Sequence, residues 1–298
     1  MPAALELKGI EAGYGDMPAL FGVDLRVPQG SVTALLGPNG AGKSTTLRVA
    51  GGIVKASRGT VVLNGDDVTK KSVRELARSG LCLVLEGRSV FPALTVRENL
   101  LIQTHLRGRA AADDIEEIAY GRFPALKVRR SQMAGTMSGG EQQMLALSRV
   151  LTTNPSVVLL DEISMGLAPM VVEELFGVVR QLADDGLSVL LVEQLAQGAM
   201  NIADYVYVLN HGRVRSVGQP ADIRDTIVDT YMGSSANVEQ SVGPSVEGSM
   251  VVTAHGTVRH YRSCAVVAAG VDVRPIAEQD RFPQCALCEP ARVLSLGA

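Results

Sequence analysis

One glycine-rich segment, GPNGAGKS at residues 37–44, limits the possible folds of this chain more than any other part of the sequence. It matches the phosphate-binding pattern G-x-x-x-x-G-K-[ST] and lies between VTALL, typical of a β-strand, and KSTTLRVAGGI, typical of a helix. Glycines let the backbone approach phosphate closely, and successive N–H groups then face the phosphate beside the positive end of the helix. The pattern therefore predicts the strand, phosphate loop and helix of an α/β fold.

The residue types in this loop predict individual contacts with a nucleotide and its metal ion. Lys43 would place one cation on the β- and γ-phosphates, and Ser44 would supply a hydroxyl to Mg²⁺. The nucleotide-binding residues predicted for the whole loop are Gly37, Pro38, Asn39, Gly40, Ala41, Gly42, Lys43, Ser44 and Thr45.

A second apolar segment, VVLLDE at residues 157–162, ends in two acidic residues. Ligands of α/β sheets bind at the carboxyl ends of parallel strands, so these acids are expected beside the phosphate loop. Asp161 is predicted to hold Mg²⁺ through water, and Glu162 to act as general base or to position the attacking water.

Further apolar segments alternate with helical patterns as far as about residue 233. Continuous apolar runs such as GLCLVL and LSVLLVEQ predict a parallel sheet that is covered on both faces. The segment YVYVLNHGRVRSVG predicts a hairpin that turns at His211 and Gly212. Residues from about 88 to 135 carry helical patterns without buried strands, which predicts a helical insertion.

The segment MSGGEQQ, residues 137–143, resembles the LSGGQ signature of ATP-binding cassette (ABC) ATPases. Ser138 and Glu141 form a capping box there, and a helix N-terminus binds anions. The resemblance covers residues 4–233 and implies a P-loop NTPase cassette with a parallel-sheet core, an antiparallel β subdomain and a helical insertion. It also implies that two cassettes close head to tail around ATP, and that the signature residues meeting the partner's ATP are Ser138, Gly139, Gly140 and Glu141.

Other landmarks of such cassettes occur in order along the chain. By this resemblance, Tyr14 stacks on adenine, and SMGLAP, residues 164–169, contacts the second cassette. Glu86 occupies a position where glutamine is usual, and the resemblance implies that it senses Mg²⁺ and the γ-phosphate. Gln194 occupies the position of the switch histidine, where its amide can donate a hydrogen bond to the γ-phosphate. The predicted catalytic residues are therefore Glu162, Gln194 and Glu86, and the predicted Mg²⁺ ligands are Ser44, Asp161 and Glu86.

The combination of EGRSVFPALTVRENL, TMSGGEQQMLAL, SMGLAP and LLVEQ resembles the LivF-type ATPases of branched-chain amino acid importers. This implies a subunit that hydrolyses ATP to power import, held on the cytoplasmic face of the membrane by two transmembrane permease subunits. The implied partners also include a second, LivG-like cassette and, indirectly, an extracytoplasmic substrate-binding protein. Three alternatives stay open: an importer ATPase for urea or short amides, an exporter ATPase, and a soluble ABC ATPase without a transport role.

Charge and composition exclude several classes of protein. The 298 residues carry a net charge of −3, so the electrostatics do not favour nucleic acid as a partner. No apolar run approaches the length of about 18 residues that a membrane span needs. Four cysteines indicate a reducing cytoplasm, and the N-terminal segment lacks the pattern of a secretory signal.

Two segments follow the cassette, which is predicted to span residues 1–233. Residues 234–249 are rich in Ser, Gly and Val and are interpreted as a linker before a C-terminal extension, residues 250–298. Residue types that bind zinc occur in this extension at His255, His260, Cys264, Cys285 and Cys288. A small zinc module and an out-of-frame extension are two interpretations. We favour a third, a poorly ordered extension, because the spacing of the cysteines matches no established zinc pattern.

Overall fold

The computed structural model describes residues 2–85, 87, 90–104 and 111–223, together with the backbone of three short strands between residues 250 and 275. In chain order, the strands are β1 (Ala3–Tyr14), β2 (Met17–Pro28), β3 (Val32–Leu36), β4 (Arg58–Leu63), β5 (Asp66–Asp67), β6 (Leu81–Val84), β7 (Val157–Asp161), β8 (Ser188–Glu193), β9 (Tyr205–Asn210), β10 (Arg213–Gly218), β11 (Met250–Thr253), β12 (Arg259–Tyr261) and β13 (Val273–Pro275). The α-helices are α1 (Lys43–Ala50), α2 (Val73–Arg78), α3 (Val96–Leu101), α4 (Ala112–Arg122), α5 (Pro124–Val128), α6 (Gly139–Leu151), α7 (Pro169–Asp184) and α8 (Ala196–Ile202), with a 3₁₀ turn at Ala134–Thr136.

Six strands form a central sheet in the order β10-β9-β3-β8-β7-β6. The five strands from β9 to β6 are parallel, and β10 pairs antiparallel with β9. Every residue of β3, β7 and β8 is buried, which explains why these segments are continuous apolar runs rather than alternating patterns. The predicted parallel sheet is confirmed, and the carboxyl ends of β3, β8 and β7 lie side by side at one edge.

Two layers cover the two faces of the central sheet. On one face, Leu35 of β3 belongs to the same hydrophobic cluster as Leu47 of α1. On the other face, Leu36 of β3 shares a cluster with Leu145 of α6 and Leu175 of α7. Consecutive residues of β3 thus pack on opposite layers, as the alternation of side chains along a strand requires. This burial fixes the end of β3, and with it the phosphate loop that follows.

A second, antiparallel sheet has the strand order β2-β1-β4-β5. β1 and β2 pair along most of their length, and Leu5 and Leu7 of β1 are buried in the same cluster as α1. This is the antiparallel sheet that the sequence resemblance implies. Its packing on α1 brings the end of β1 close to the first turn of that helix.

Several element boundaries coincide with local signals in the sequence. Capping boxes begin α2 at Ser72 with Glu75, and α3 at Thr95 with Glu98. β9 and β10 form the predicted hairpin, and His211 at its turn has a φ of 48°.

The described residues between 90 and 136 form α3, α4, α5 and the 3₁₀ turn and contribute no strand to either sheet. This arrangement agrees with the expected helical insertion, whose boundaries stay a prediction. Beyond residue 223, the described backbone forms a separate antiparallel sheet in the order β12-β11-β13. The predicted linker and the zinc-type side chains of the extension lie outside the described residues. Within the described part of the chain, none of the helices has the length and apolar character to cross a membrane.

Candidate functional site

The phosphate loop joins the buried end of β3 to α1, and two of its glycines are required by close packing. A Cβ atom at Gly37 would lie 2.1 Å from the carbonyl oxygen of Leu209 on the neighbouring strand β9. Gly42, the N-cap residue of α1, has a φ of 105°, and a Cβ atom there would lie 2.8 Å from Leu20. Both positions exclude larger residues, so the loop backbone stays close to the sheet and turns sharply into the helix.

The N-terminus of α1 faces a cavity that lies beside the phosphate loop. Gly42 makes no side-chain cap, and the first turn of the helix contains no acidic residue. The positive end of the helix dipole therefore has no carboxylate of its own first turn to compensate it. Together with the loop amides, this makes the start of α1 suited to bind phosphate.

Lys43 lines this cavity, and its side chain is buried. Its Nζ donates hydrogen bonds to the carbonyl oxygens of Gly37, at 2.9 Å, and Pro38, at 3.3 Å, and lies 3.8 Å from the Glu162 carboxylate. Burial lowers the pKa of Lys43, while the carboxylates of Glu162, Asp161 and Glu193 act in the opposite direction. The ammonium group is therefore held where it can meet an anionic ligand.

Ser44 and Asp161 bring two oxygen donors together from α1 and β7. The Ser44 hydroxyl donates a hydrogen bond of 3.2 Å to Oδ1 of Asp161, which is buried. A hydroxyl and a carboxylate are hard oxygen ligands of the kind that Mg²⁺ prefers. Two of the three residues that the sequence proposes for the metal are therefore adjacent, and their chemistry fits that ion.

Glu162 follows β7 in an unusual backbone conformation. Its φ of 46° lies in the left-handed region, and its N–H donates a hydrogen bond of 2.9 Å to the carbonyl of Val192 on β8. A residue other than glycine is held in this conformation at a cost of about 1–2 kcal/mol. The turn directs the carboxylate toward Lys43 and out of the strand, into the cavity that the phosphate loop lines.

This cavity has a volume of about 430 Å³, which is in the range of small-molecule sites. It is lined by Pro18, Ala19, Phe21, Asn39, Gly40, Ala41, Gly42, Lys43, Ser44, Thr45, Glu162, His211 and Gly212. The structure thus brings most of the predicted loop together with Glu162. Gly37 and Pro38 do not line the cavity, but they accept the hydrogen bonds of Lys43.

The β9–β10 turn at the cavity was predicted as a hairpin turn but not as part of the site. The Gly212 N–H donates a hydrogen bond of 2.8 Å to the carbonyl of Ala41 in the phosphate loop, and the Gly212 carbonyl accepts one from Phe21. The turn therefore braces the loop from β9, and His211 faces the same cavity. The only sequence signal for this role is the His-Gly pair at a turn, which is not specific to any site.

Tyr14, at the end of β1, lies against the start of α1. Its hydroxyl is 3.5 Å from the hydroxyl of Thr45 and accepts a hydrogen bond of 3.1 Å from Arg48. The side chain is 43% exposed, so one side of the ring can accept a ligand that leaves the phosphate loop in this direction.

Gln194, one of the predicted catalytic residues, lies at the carboxyl edge of the central sheet. Gln194 is exposed and immediately follows β8, whose carboxyl end lies between those of β3 and β7. Glu86 lies outside the described residues.

The signature segment begins helix α6. Ser138 is the N-cap and forms the predicted capping box with Glu141, which is also paired with Arg129 at 2.7 Å. Ser138 and Gly139 are exposed, and none of the four signature residues lines the described cavity. Within one chain, therefore, the structure does not place the signature at the phosphate loop.

Replacing Gly140, in the first turn of α6, by alanine is expected to destabilise the fold, although alanine has a higher helix propensity than glycine. A Cβ atom at Gly140 would lie 2.3 Å from Cγ1 of Val171 on α7. Gly140→Ala is therefore expected to lower the free energy of unfolding by about 1–3 kcal/mol through overpacking. Gly177 is the matched control, because it is an exposed glycine within α7 with nothing near its Cβ position. Gly177→Ala should raise stability by about 0.5–1 kcal/mol. Urea unfolding of both variants tests this; equal stabilisation by the two substitutions would contradict the packing.

Buried Glu193 was not identified from the sequence. Its carboxylate accepts hydrogen bonds from the N–H of Ser164, at 3.0 Å, and from the Ser164 hydroxyl, at 2.6 Å. Burial raises the pKa of Glu193 from 4.5 to about 7; the Ser164 and Gln194 hydrogen bonds act to lower it, and the Glu162 carboxylate adds to the rise. A carboxyl that titrates near neutrality thus lies between Glu162 and Gln194.

Comparison with known proteins finds one family and many relatives. The family model described as ABC transporter matches residues 20–164. A high-affinity branched-chain amino acid transport ATP-binding protein, BraG of Pseudomonas aeruginosa, is 38% identical over 235 residues, covering 77% of this chain and 99% of the relative. A probable branched-chain amino acid transport ATP-binding protein, LivF of Archaeoglobus fulgidus, is also 38% identical, over 69% of this chain and 87% of the relative.

Solved structures of the same type match the fold. An ATP-binding cassette of an ABC transporter in its ADP conformation is 28% identical with a TM-score of 0.70, and the match covers 78% of this chain and all of that chain. A nucleotide-free ATP-binding cassette from an ABC transporter has a TM-score of 0.68 at 28% identity, with 81% of this chain and 100% of that chain covered.

Proposed function

Because this chain belongs to the ABC transporter family of ATPases, we propose that it is the ATP-hydrolysing subunit of an importer for branched-chain amino acids. The family and its ATPase activity rest on the ABC transporter family model and on a relative that is matched over 99% of its own length. The choice of substrate is supported by the names of two relatives, each 38% identical to this chain. The proposed mechanism rests on one observation. Asp161 and Glu162, at the end of β7, lie beside Ser44 and Lys43 of the phosphate loop.

In this proposal, the phosphate loop and the start of α1 bind the triphosphate of ATP. Backbone N–H groups contact the phosphate oxygens, and Lys43 places its charge on the β- and γ-phosphates. Tyr14 stacks on the adenine, which is consistent with its partly exposed position beside Thr45. The loop residues hold the nucleotide rather than react with it, since phosphoryl transfer depends mainly on positioning and charge.

Mg²⁺ would be held by Ser44, by Asp161 and, from the sequence resemblance, by Glu86. The ion would supply positive charge that neutralises the β- and γ-phosphate oxygens. The oxygen donors of Ser44 and Asp161, 3.2 Å apart, support this assignment.

Glu162 then orients the attacking water and accepts its proton. Its left-handed backbone directs the carboxylate into the cavity, where Lys43 lies 3.8 Å away. Gln194 donates a hydrogen bond from its amide to the γ-phosphate. Gln194 cannot take up a proton, and Glu162 is the carboxylate among the residues that line the cavity, so we assign the proton transfer to Glu162.

We further propose that the site is completed by a second cassette, a LivG-like chain, whose signature helix meets the ATP bound here. The signature of this chain lies away from its own cavity, and several large apolar side chains near the carboxyl edge of the sheet are exposed. Met165 is 54% exposed, Met170 82% and Leu195 59%, a pattern suited to coverage by another subunit. Two permease subunits would hold the pair at the cytoplasmic face of the membrane and receive substrate from an external binding protein.

Reconstituted transport tests this function. The chain is co-expressed with candidate permease subunits, a LivG-like cassette and a candidate substrate-binding protein, and the purified assembly is placed in liposomes that contain ATP. We expect ATP-dependent uptake of labelled leucine, isoleucine or valine, and no uptake with Glu162→Gln. Uptake of urea or short amides that leucine does not compete with would overturn the substrate, and recovery of the chain on ribosomes instead of with permease subunits would overturn the transport role.

A further inference from the structure

The carboxylate of Glu193 joins two segments that are distant in sequence. Three donors meet it: the N–H and the hydroxyl of Ser164, and the N–H of Gln194. Glu193 is 1% exposed and Ser164 2%, so water has little access to these groups. The first segment begins the SMGLAP sequence after Glu162, and the second carries the exposed Gln194.

Two further contacts place this group within the site. The backbone N–H of Glu162 is bonded to the carbonyl of Val192, the residue before Glu193. Among the described residues, the charged groups that act on Glu193 include the carboxylate of Glu162, after β7, and the ammonium of Lys43, on α1. The chain after β7 is therefore held to the end of β8 by this backbone hydrogen bond and by the hydrogen bonds from Ser164 to the Glu193 carboxylate.

A buried acid at this position is not explained by stability. Burying a carboxylate costs free energy, and an apolar residue of similar volume would suit the end of an otherwise apolar strand better. β8 contains Val189, Leu190, Leu191 and Val192, all buried, directly before Glu193. Buried ionisable groups with shifted pKa values are concentrated at functional sites, which favours a functional role for Glu193.

We propose that Glu193 is a positioning residue that fixes Gln194 and the SMGLAP segment to each other. Because the Glu193 carboxylate binds both segments, a displacement of Ser164 also moves the backbone of Gln194. When the SMGLAP segment contacts a second cassette, the hydrogen bond from Gln194 to the γ-phosphate therefore changes as well. The inference rests on the proposed function, because it assigns Gln194 to the γ-phosphate. Glu193 itself does not touch the nucleotide; it acts through Ser164 and Gln194.

Glu193→Gln keeps the size of the side chain and removes its charge. At pH 8 the turnover number of the assembled transporter is expected to fall about tenfold or more, because small misplacements of catalytic groups have effects of this size. The KM for ATP should stay within about twofold, since Lys43 and the loop are untouched. Between pH 8 and 6 the wild-type turnover should decline as Glu193 takes up a proton, with a midpoint near 7, whereas the variant lacks this limb.

Thermal stability separates positioning from a purely structural role. The folded state retains the Glu193 proton up to about pH 7, whereas the unfolded chain releases it near 4.5. Protonation of Glu193 therefore stabilises the folded state at low pH, and this stabilisation is lost as the pH rises between these values. At pH 8, Glu193→Gln should therefore melt no lower than the wild type although its turnover is reduced. A structural role would lower the melting temperature and turnover together.

Ser164→Ala is the second variant and remains informative if Glu193→Gln folds poorly. It should reduce turnover in the same direction, and the double variant should be no worse than the more damaging single one. Asp204→Asn is the control, an acid-to-amide change at a residue that accepts a hydrogen bond from Val32 at the opposite end of β3; turnover should be unchanged.

Normal turnover with an unaltered pH profile in Glu193→Gln and Ser164→Ala would overturn the inference. Glu162→Gln, measured in parallel, tests the proposed function separately, since retained turnover there would overturn that assignment instead.

Discussion

Glu162→Gln is expected to bind ATP as tightly as the natural chain and to lose nearly all of its turnover. The amide occupies the space of the carboxylate but cannot accept the proton of the attacking water. General-base catalysis contributes about 10²–10⁴-fold to the rate, and a loss of this size is expected in the assembled transporter. The ion pair with Lys43 is lost as well, but ATP itself supplies negative charge to that ammonium group.

Two measurements check this result. Phosphate release gives the turnover, and titration with a fluorescent ATP analogue gives the dissociation constant. Glu117→Gln, at an exposed position of α4, is the matched control and should retain full activity. Steady-state hydrolysis by Glu162→Gln at a rate near that of the control would show that another group activates the water.

Lys43→Ala is expected to abolish ATP binding at physiological concentrations. Truncating one partner of a buried charge pair costs about 2–5 kcal/mol, which corresponds to a Kd about 30-fold to several thousand-fold higher. Two further effects add to this loss. The carbonyls of Gly37 and Pro38 lose their shared donor, and Glu162 and Asp161 then face the phosphates without the nearest cation.

Calorimetric titration of the full chain with Mg·ATP measures this effect directly. Lys127→Ala, at an exposed position of α5, is the control for removal of a lysine and should bind normally. A Kd for Lys43→Ala within about threefold of the control would be incompatible with the proposed phosphate contact.

The sequence predicts the residues whose neighbours are local and leaves out those whose partners are distant. Ser44 could be placed because the loop pattern defines its surroundings within eight residues, and Asp161 because it ends an apolar strand. The role of Glu193 depends on Ser164, 29 residues earlier, and on complete burial, and neither can be read from LLVEQ. The bond between Gly212 and Ala41 joins residues still further apart, so it appears only once the strand order is known.

The position of β3 between β8 and β9 has a consequence for synthesis of the chain on the ribosome. The phosphate loop is translated early, yet the strands that flank it comprise Ser188–Glu193 and Tyr205–Asn210. A nascent chain that ends before these strands has an unpaired β3 and lacks the turn that braces Ala41. Contacts between such distant segments form slowly. We therefore expect the growing polypeptide to acquire nucleotide affinity late, after about 210 residues have left the exit tunnel, and to expose the apolar β3 to chaperones until then.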